Sequence, residues 1–117
     1  MSRVVVWVSD FEMGTRIADA VTSLGEEAVF PQDRERSEQS LYEDAVLVII
    51  DLSERARNAL ELVRSVRKNH PELRLVGIVS RVRKKIHTQG KEAGCDWVLP
   101  RSSLVRNLST LLEKRVD

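Results

Sequence analysis

At 117 residues with a single cysteine, the chain is long enough for one domain whose core needs no disulfide, and Cys95 has no partner for an internal bridge. Its 42% hydrophobic and 32% charged residues are ordinary for a globular protein and exclude disordered and collagen-like classes. A net charge of +1, no apolar run of membrane-spanning length and a strand pattern near the first residue argue against a nucleic-acid binder, a membrane protein and a secreted one. A cytoplasmic protein of one domain over residues 1–117, with no output domain, is expected.

The first run, Val4-Val5-Val6-Trp7-Val8, reads as a strand that ends on Ser9-Asp10. A helix is expected from near Phe11, with Ile17, Val21 and Leu24 on one face and Gly25 as its stop. Ala28-Val29-Phe30 is a short strand before Pro31, and residues 32–40 read as a polar loop running into a short exposed helix. The strongest strand is Ala45-Val46-Leu47-Val48-Ile49-Ile50, ending on Asp51. Ala56, Leu60, Val63 and Val66 mark the next helix, closed by Asn69-His70-Pro71. Residues 73–79 form a fourth strand, and Val82 and Ile86 mark a helix ending by Gly90 or Gly94. A fifth strand is expected over residues 95–99, before Pro100. The last helix is expected to take Ser102 or Ser103 as its N-cap and to turn Leu104, Leu108, Leu111 and Leu112 inward.

Five strands alternating with five helices predict an α/β doubly wound fold with a parallel sheet. Unbroken Val/Ile/Leu runs suit strands covered on both faces, and such sheets place their sites beyond the carboxyl ends of the strands. Asp10 and Asp51 both fall there. An acidic pair in one crevice suits a hard divalent cation, or one carboxylate acting as a nucleophile.

Charge is unevenly spread along the chain. Residues 26–54 hold nine acids and two bases, residues 55–77 six bases and two acids, and residues 78–117 nine bases and four acids. This asymmetry predicts charged partner surfaces or complementarity between two copies. Arg81, Arg83, Lys84, Lys85 and Lys91 concentrate positive charge on the fourth helix, with no acid before Glu92. The two histidines, His70 and His87, are expected to face solvent, and Cys95 is expected to pack rather than react.

The order and spacing of Val8-Ser9-Asp10-Phe11, Val48-Ile49-Ile50-Asp51, Leu60-Glu61-Leu62-Val63, Ile78-Val79-Ser80 and Ala93-Gly94 before Trp97 resemble the receiver domain of bacterial two-component response regulators. The resemblance covers nearly the whole chain. It implies a flavodoxin-like (βα)5 fold with strand order 2-1-3-4-5. It also implies a phosphoprotein of phosphorelay signalling rather than an enzyme, with Asp51 as the phosphoacceptor for a histidine kinase or a small phosphodonor. Mg²⁺ would be held by Asp10, Asp51 and the backbone carbonyl of Ser53. Ser80 would hydrogen-bond the phosphoryl group. Trp97, with Arg83, Lys84 and Lys85, would belong to the switching and output face formed by the fourth helix, fifth strand and fifth helix, where an acidic protein partner or a second copy would dock.

The chain departs from the family pattern in ways that bear on that chemistry. Ser9 replaces one acid of the family's pair and thins the metal site. Glu54-Arg55 stands where Met-Pro is usual, and Ala59 replaces a glycine; Glu54 is placed to compete for the cation or to mimic a phosphoryl charge. The family's lysine after the fifth strand is missing: counting from Trp97 puts Pro100 in its slot, whereas matching prolines puts Leu99 there. Arg101 is the nearest substitute cation. Two other readings stand beside the phosphoacceptor. One is a phosphorylation-independent pseudo-receiver serving as an interaction module. The other is a small flavodoxin-like enzyme or nucleotide-binding domain, disfavoured because residues 9–15 contain only Gly14.

Overall fold

The computed structural model describes residues 2–31, 38–53, 56–81 and 83–113, so the expectations placed on residues 32–37, Glu54, Arg55 and Val82 lie outside the described residues. The elements run β1 Arg3–Trp7, α1 Phe11–Ser23, β2 Glu27–Val29, α2 Glu38–Leu41, β3 Ala45–Asp51, α3 Ala56–Asn69, β4 Leu75–Val79, α4 Lys84–Ala93, β5 Trp97–Pro100 and α5 Arg101–Leu112. The strands form one parallel sheet in the order β2-β1-β3-β4-β5, the order expected from the resemblance. No described helix is long and apolar enough to cross a membrane.

Successive strand residues point to opposite faces, and that period sorts the core into two layers. Val4, Val6, Val8, Leu47, Ile49, Val76 and Ile78 pack with Met13, Ile17 and Val21 of α1 and with Leu104, Leu108 and Leu111 of α5. Val5, Val48, Ile50, Leu52, Leu75 and Val79 face the other way, onto Leu60, Val63 and Val66 of α3, Ala93 of α4 and Leu41-Tyr42. Central strands covered on both sides need apolar residues at every position, which is why β1 and β3 read as unbroken runs. Each fully buried Val, Leu or Ile contributes about 1.5–3 kcal/mol.

Helix ends follow local chemistry, with one correction. Asp10 is the N-cap of α1, its Oδ2 accepting the Met13 N–H at 2.9 Å. The N-cap of α5 is Pro100, not Ser102 or Ser103, and the helix starts at Arg101 without a side-chain cap. Pro100 sits at the end of β5 beside Val79 and its extended backbone (φ −66°, ψ 147°) leads straight into the first turn. His70 also departs from expectation: it is half-buried, its ring 4.7 Å from that of Tyr42.

Two glycines let the layers close. A Cβ on Gly77 of β4 would lie 2.6 Å from Leu52 Cδ1 and 3.1 Å from Cys95 Sγ; one on Gly90 of α4 would lie 2.9 Å from Val98 Cγ2 and 3.1 Å from Leu52 Cδ1. Leu52 therefore fills a notch that only glycine leaves open on both sides. At the opposite end of the sheet, Arg67 of α3 binds several loops at once. Its guanidinium donates to the carbonyls of Pro71, Leu73 and Gly94 and to Asp96 Oδ2, which also accepts the Leu75 N–H at 2.8 Å.

Gly77→Ala should destabilise the fold by about 1–3 kcal/mol in urea unfolding. Leu52→Ala in the Gly77→Ala background should cost less than in the parent chain, because the displaced methyls are gone. Cys95 gives a second test: burial, assisted by the neighbouring Asp96 charge, pushes its thiol up from 9.0 to about 11. The unfolded thiol ionises first, so its contribution is complete below pH 9 and is lost as pH rises towards 11. The urea midpoint should fall more steeply over that window in the parent than in Cys95→Ala.

Candidate functional site

Asp51 closes β3 at the carboxyl edge of the sheet, and its side chain is only 3% exposed. The strand period gives it the same face as Leu47 and Ile49, the face covered by α1 and α5. Arg101 is the first residue of α5, and its guanidinium Nη2 forms an ion pair with Asp51 Oδ2. Arg101 thus brings to Asp51 the cation that neither Pro100 nor Leu99 can carry. The Arg101 side chain is 28% exposed, so the pair is dry on one side and wet on the other.

The other oxygen, Asp51 Oδ1, accepts the Ser53 N–H at 2.8 Å, and Ser53 Oγ accepts the Ser80 N–H at 2.6 Å. Ser80 lies just past β4, exposed, next to Asp51 through the pairing of Asp51 with Ile78. Asp51, Ser53, Ser80 and Arg101 therefore meet at the ends of β3 and β4. Asp10 and Ser9, both exposed, follow β1, the neighbour of β3 on its other side. Asp10 stands at the rim of a cleft of about 340 Å³ walled by Phe11, Gly14, Ala18 and Phe30.

A divalent cation here would rest on oxygen donors alone. Asp10 keeps an oxygen beyond its cap bond, Asp51 has spare acceptor capacity on Oδ1, and the Ser53 carbonyl belongs to the same loop. That donor chemistry suits Mg²⁺, which takes one or two carboxylates and keeps several waters. No group of three or more His, Cys, Asp or Glu gathers among the described residues.

The proposed output residues divide between layers. Trp97 of β5 is half-buried and packs with the α1/α5 core. Val98, its neighbour, is the β5 residue turned towards α4 and Gly90. Arg83, Lys84 and Lys85 are exposed at the start of α4, a few residues past Ser80, and Arg83 caps the helix without a side-chain hydrogen bond. What sequence reasoning missed is Leu52, for nothing local distinguishes it from any other buried leucine.

No protein-family model and no curated protein matches the sequence. Among solved structures, the fold is similar to a response regulator from Thermotoga maritima, with TM-score 0.76, 15% identity and cover of 97% of this chain and 99% of that one. It is similar to the beryllofluoride-activated N-terminal receiver domain of RstA from Klebsiella pneumoniae, with TM-score 0.74, 21% identity and cover of 97% and 100%. A response regulator from Burkholderia pseudomallei, solved with a phosphorylated aspartic acid, calcium ion and citrate, gives TM-score 0.76, 14% identity and cover of 97% and 68%. The chain has the receiver-domain fold.

Removing one member of a half-buried ion pair strands the other. Arg101→Ala should cost about 1–3 kcal/mol in urea unfolding. In an Asp51→Asn background the same substitution should cost clearly less, and the difference measures the pair.

Proposed function

We propose that this receiver-fold chain relays a signal by protein–protein contact, with Asp51 accepting a phosphoryl group. The observation that supports this reading best is a buried carboxylate at the carboxyl edge of the sheet, bound at once by a guanidinium and a backbone N–H. In the proposed step an Asp51 oxygen attacks phosphorus in a phosphohistidine or an acyl phosphate. The new O–P bond forms as the bond to the imidazole nitrogen or carboxylate oxygen breaks and its electron pair leaves with that group. Arg101 balances charge on the phosphoryl oxygens, and the Ser80 hydroxyl donates to one of them. Asp10, Asp51 and the Ser53 carbonyl would hold Mg²⁺, which when bound neutralises further phosphoryl charge. The phosphorylated aspartate and the calcium of the Burkholderia neighbour support carrying both roles to this chain. The basic surface of α4, with β5 and α5, would present the result to an acidic protein partner.

One observation favours a second reading. Arg101 already satisfies Asp51 without a phosphoryl group or a metal ion, as a phosphorylation-independent docking module requires.

Acetyl phosphate with Mg²⁺, read by intact mass, separates the two. The switch predicts a phosphoryl adduct that hydroxylamine removes and Asp51→Asn abolishes. No adduct, together with no Mg²⁺ binding at millimolar concentration by calorimetry, would establish the second reading.

A further inference from the structure

The charge halves of the chain become the two halves of the sheet. Among the described residues, those up to Ser53, with nine acids and two bases, supply β1, β2 and β3; those from Ala56 on, with twelve bases and five acids, supply β4 and β5. Because the strand order is β2-β1-β3-β4-β5, each set of strands is contiguous, and the two outermost strands carry opposite surroundings. Four strand spacings separate β2 from β5, roughly 19 Å. At the basic side Arg81, Arg83, Lys84, Lys85 and Lys91 are exposed, and none of them ion-pairs with an acid among the described residues. At the amino end of β1, β2 and β3, Glu27, Glu43 and Asp44 are exposed around Arg3, which among the described residues is the base that pairs with Glu27.

We propose that copies of this chain associate head to tail, the acidic amino end of the sheet of one, at Glu43 and Asp44, against the basic α4 of the next. This identifies the acidic partner inferred above and rests on that part of the reading alone, not on chemistry at Asp51. A two-fold contact centred on α4 would bring the same five cations against themselves, and one centred on Glu43 and Asp44 would do so with acids. A heterologous contact instead sets the two oppositely charged patches face to face. The net charge of +1 leaves no overall repulsion to oppose it. Since such a contact does not close at two copies, it extends to rings or short filaments.

Sedimentation velocity on the full chain, without phosphodonor or Mg²⁺, tests this. At about 20 mM NaCl the weight-average sedimentation coefficient should rise with protein concentration past the dimer, and at about 300 mM NaCl the chain should be monomeric. Lys84→Glu/Lys85→Glu and Glu43→Lys/Asp44→Lys should each remain monomeric alone, while their equimolar mixture associates, since the first offers the acidic edge and the second the basic helix. A monomer at every salt and concentration overturns the proposal, leaving a foreign acidic partner as the occupant. So does association that stops at a dimer, or that survives either charge reversal. The acetyl phosphate result stands independently of all of these.

Discussion

A carboxylate withdrawn from water must be matched by a cation or by hydrogen bonds, and Asp51 has both. The pairing with Arg101 explains much of the architecture above the sheet. The β3 run carries Asp51 inwards, the pleat turns it towards α5, and α5 lies across β3 and β4 as well as β5. An arginine at the first position of that helix reaches back over the sheet to meet it. Pro100 makes this possible by passing directly from strand to helix, leaving no loop in which the guanidinium could be misplaced. A buried site of this kind is matched from within the chain before anything binds.

Three consecutive residues then distribute the site's connections. Asp51 is tied to α5 through Arg101, Leu52 is wedged between β4 and α4, and Ser53 is bonded to Ser80 in front of α4. Events at one carboxylate are therefore in physical contact with both helices that flank β5. Neither connection needs an aromatic rotor in β5. Trp97 belongs to the other layer, and the residue facing α4 is a valine.

Most of the fold was legible because its signals are local or periodic. Apolar runs in β1 and β3, the Asp10 cap and the Leu104-Leu108-Leu111 stripe each announce an element within a few residues. The carboxylates Asp10 and Asp51 were legible for the same reason: each ends a run. The start of α5 was misread because serines are the commoner caps, whereas here a proline's fixed φ does the work. The reach of Arg101 was beyond sequence because a one-residue slip at the end of β5 reverses which face a side chain takes. The Leu52 notch was hidden for a different reason. Gly77 and Gly90 are apart in sequence, and a packing glycine has no local signature until its neighbour is known.

The Arg67 clamp has a mechanical meaning. It grips the chain at Gly94, the residue that ends α4 in a backbone conformation (φ +133°) few other residues adopt. A Cβ there would strike Arg67 as well, at 2.8 Å from its own Cβ. The same guanidinium fixes the approach to β4. Among the described residues, the far terminus of α4, beginning at Lys84, has no side-chain cap. A rod held at one end turns about that end more readily than it slides. The lever arm of that pivot ends at Lys84 and Lys85, so the largest displacement belongs to the helix's most strongly charged turn.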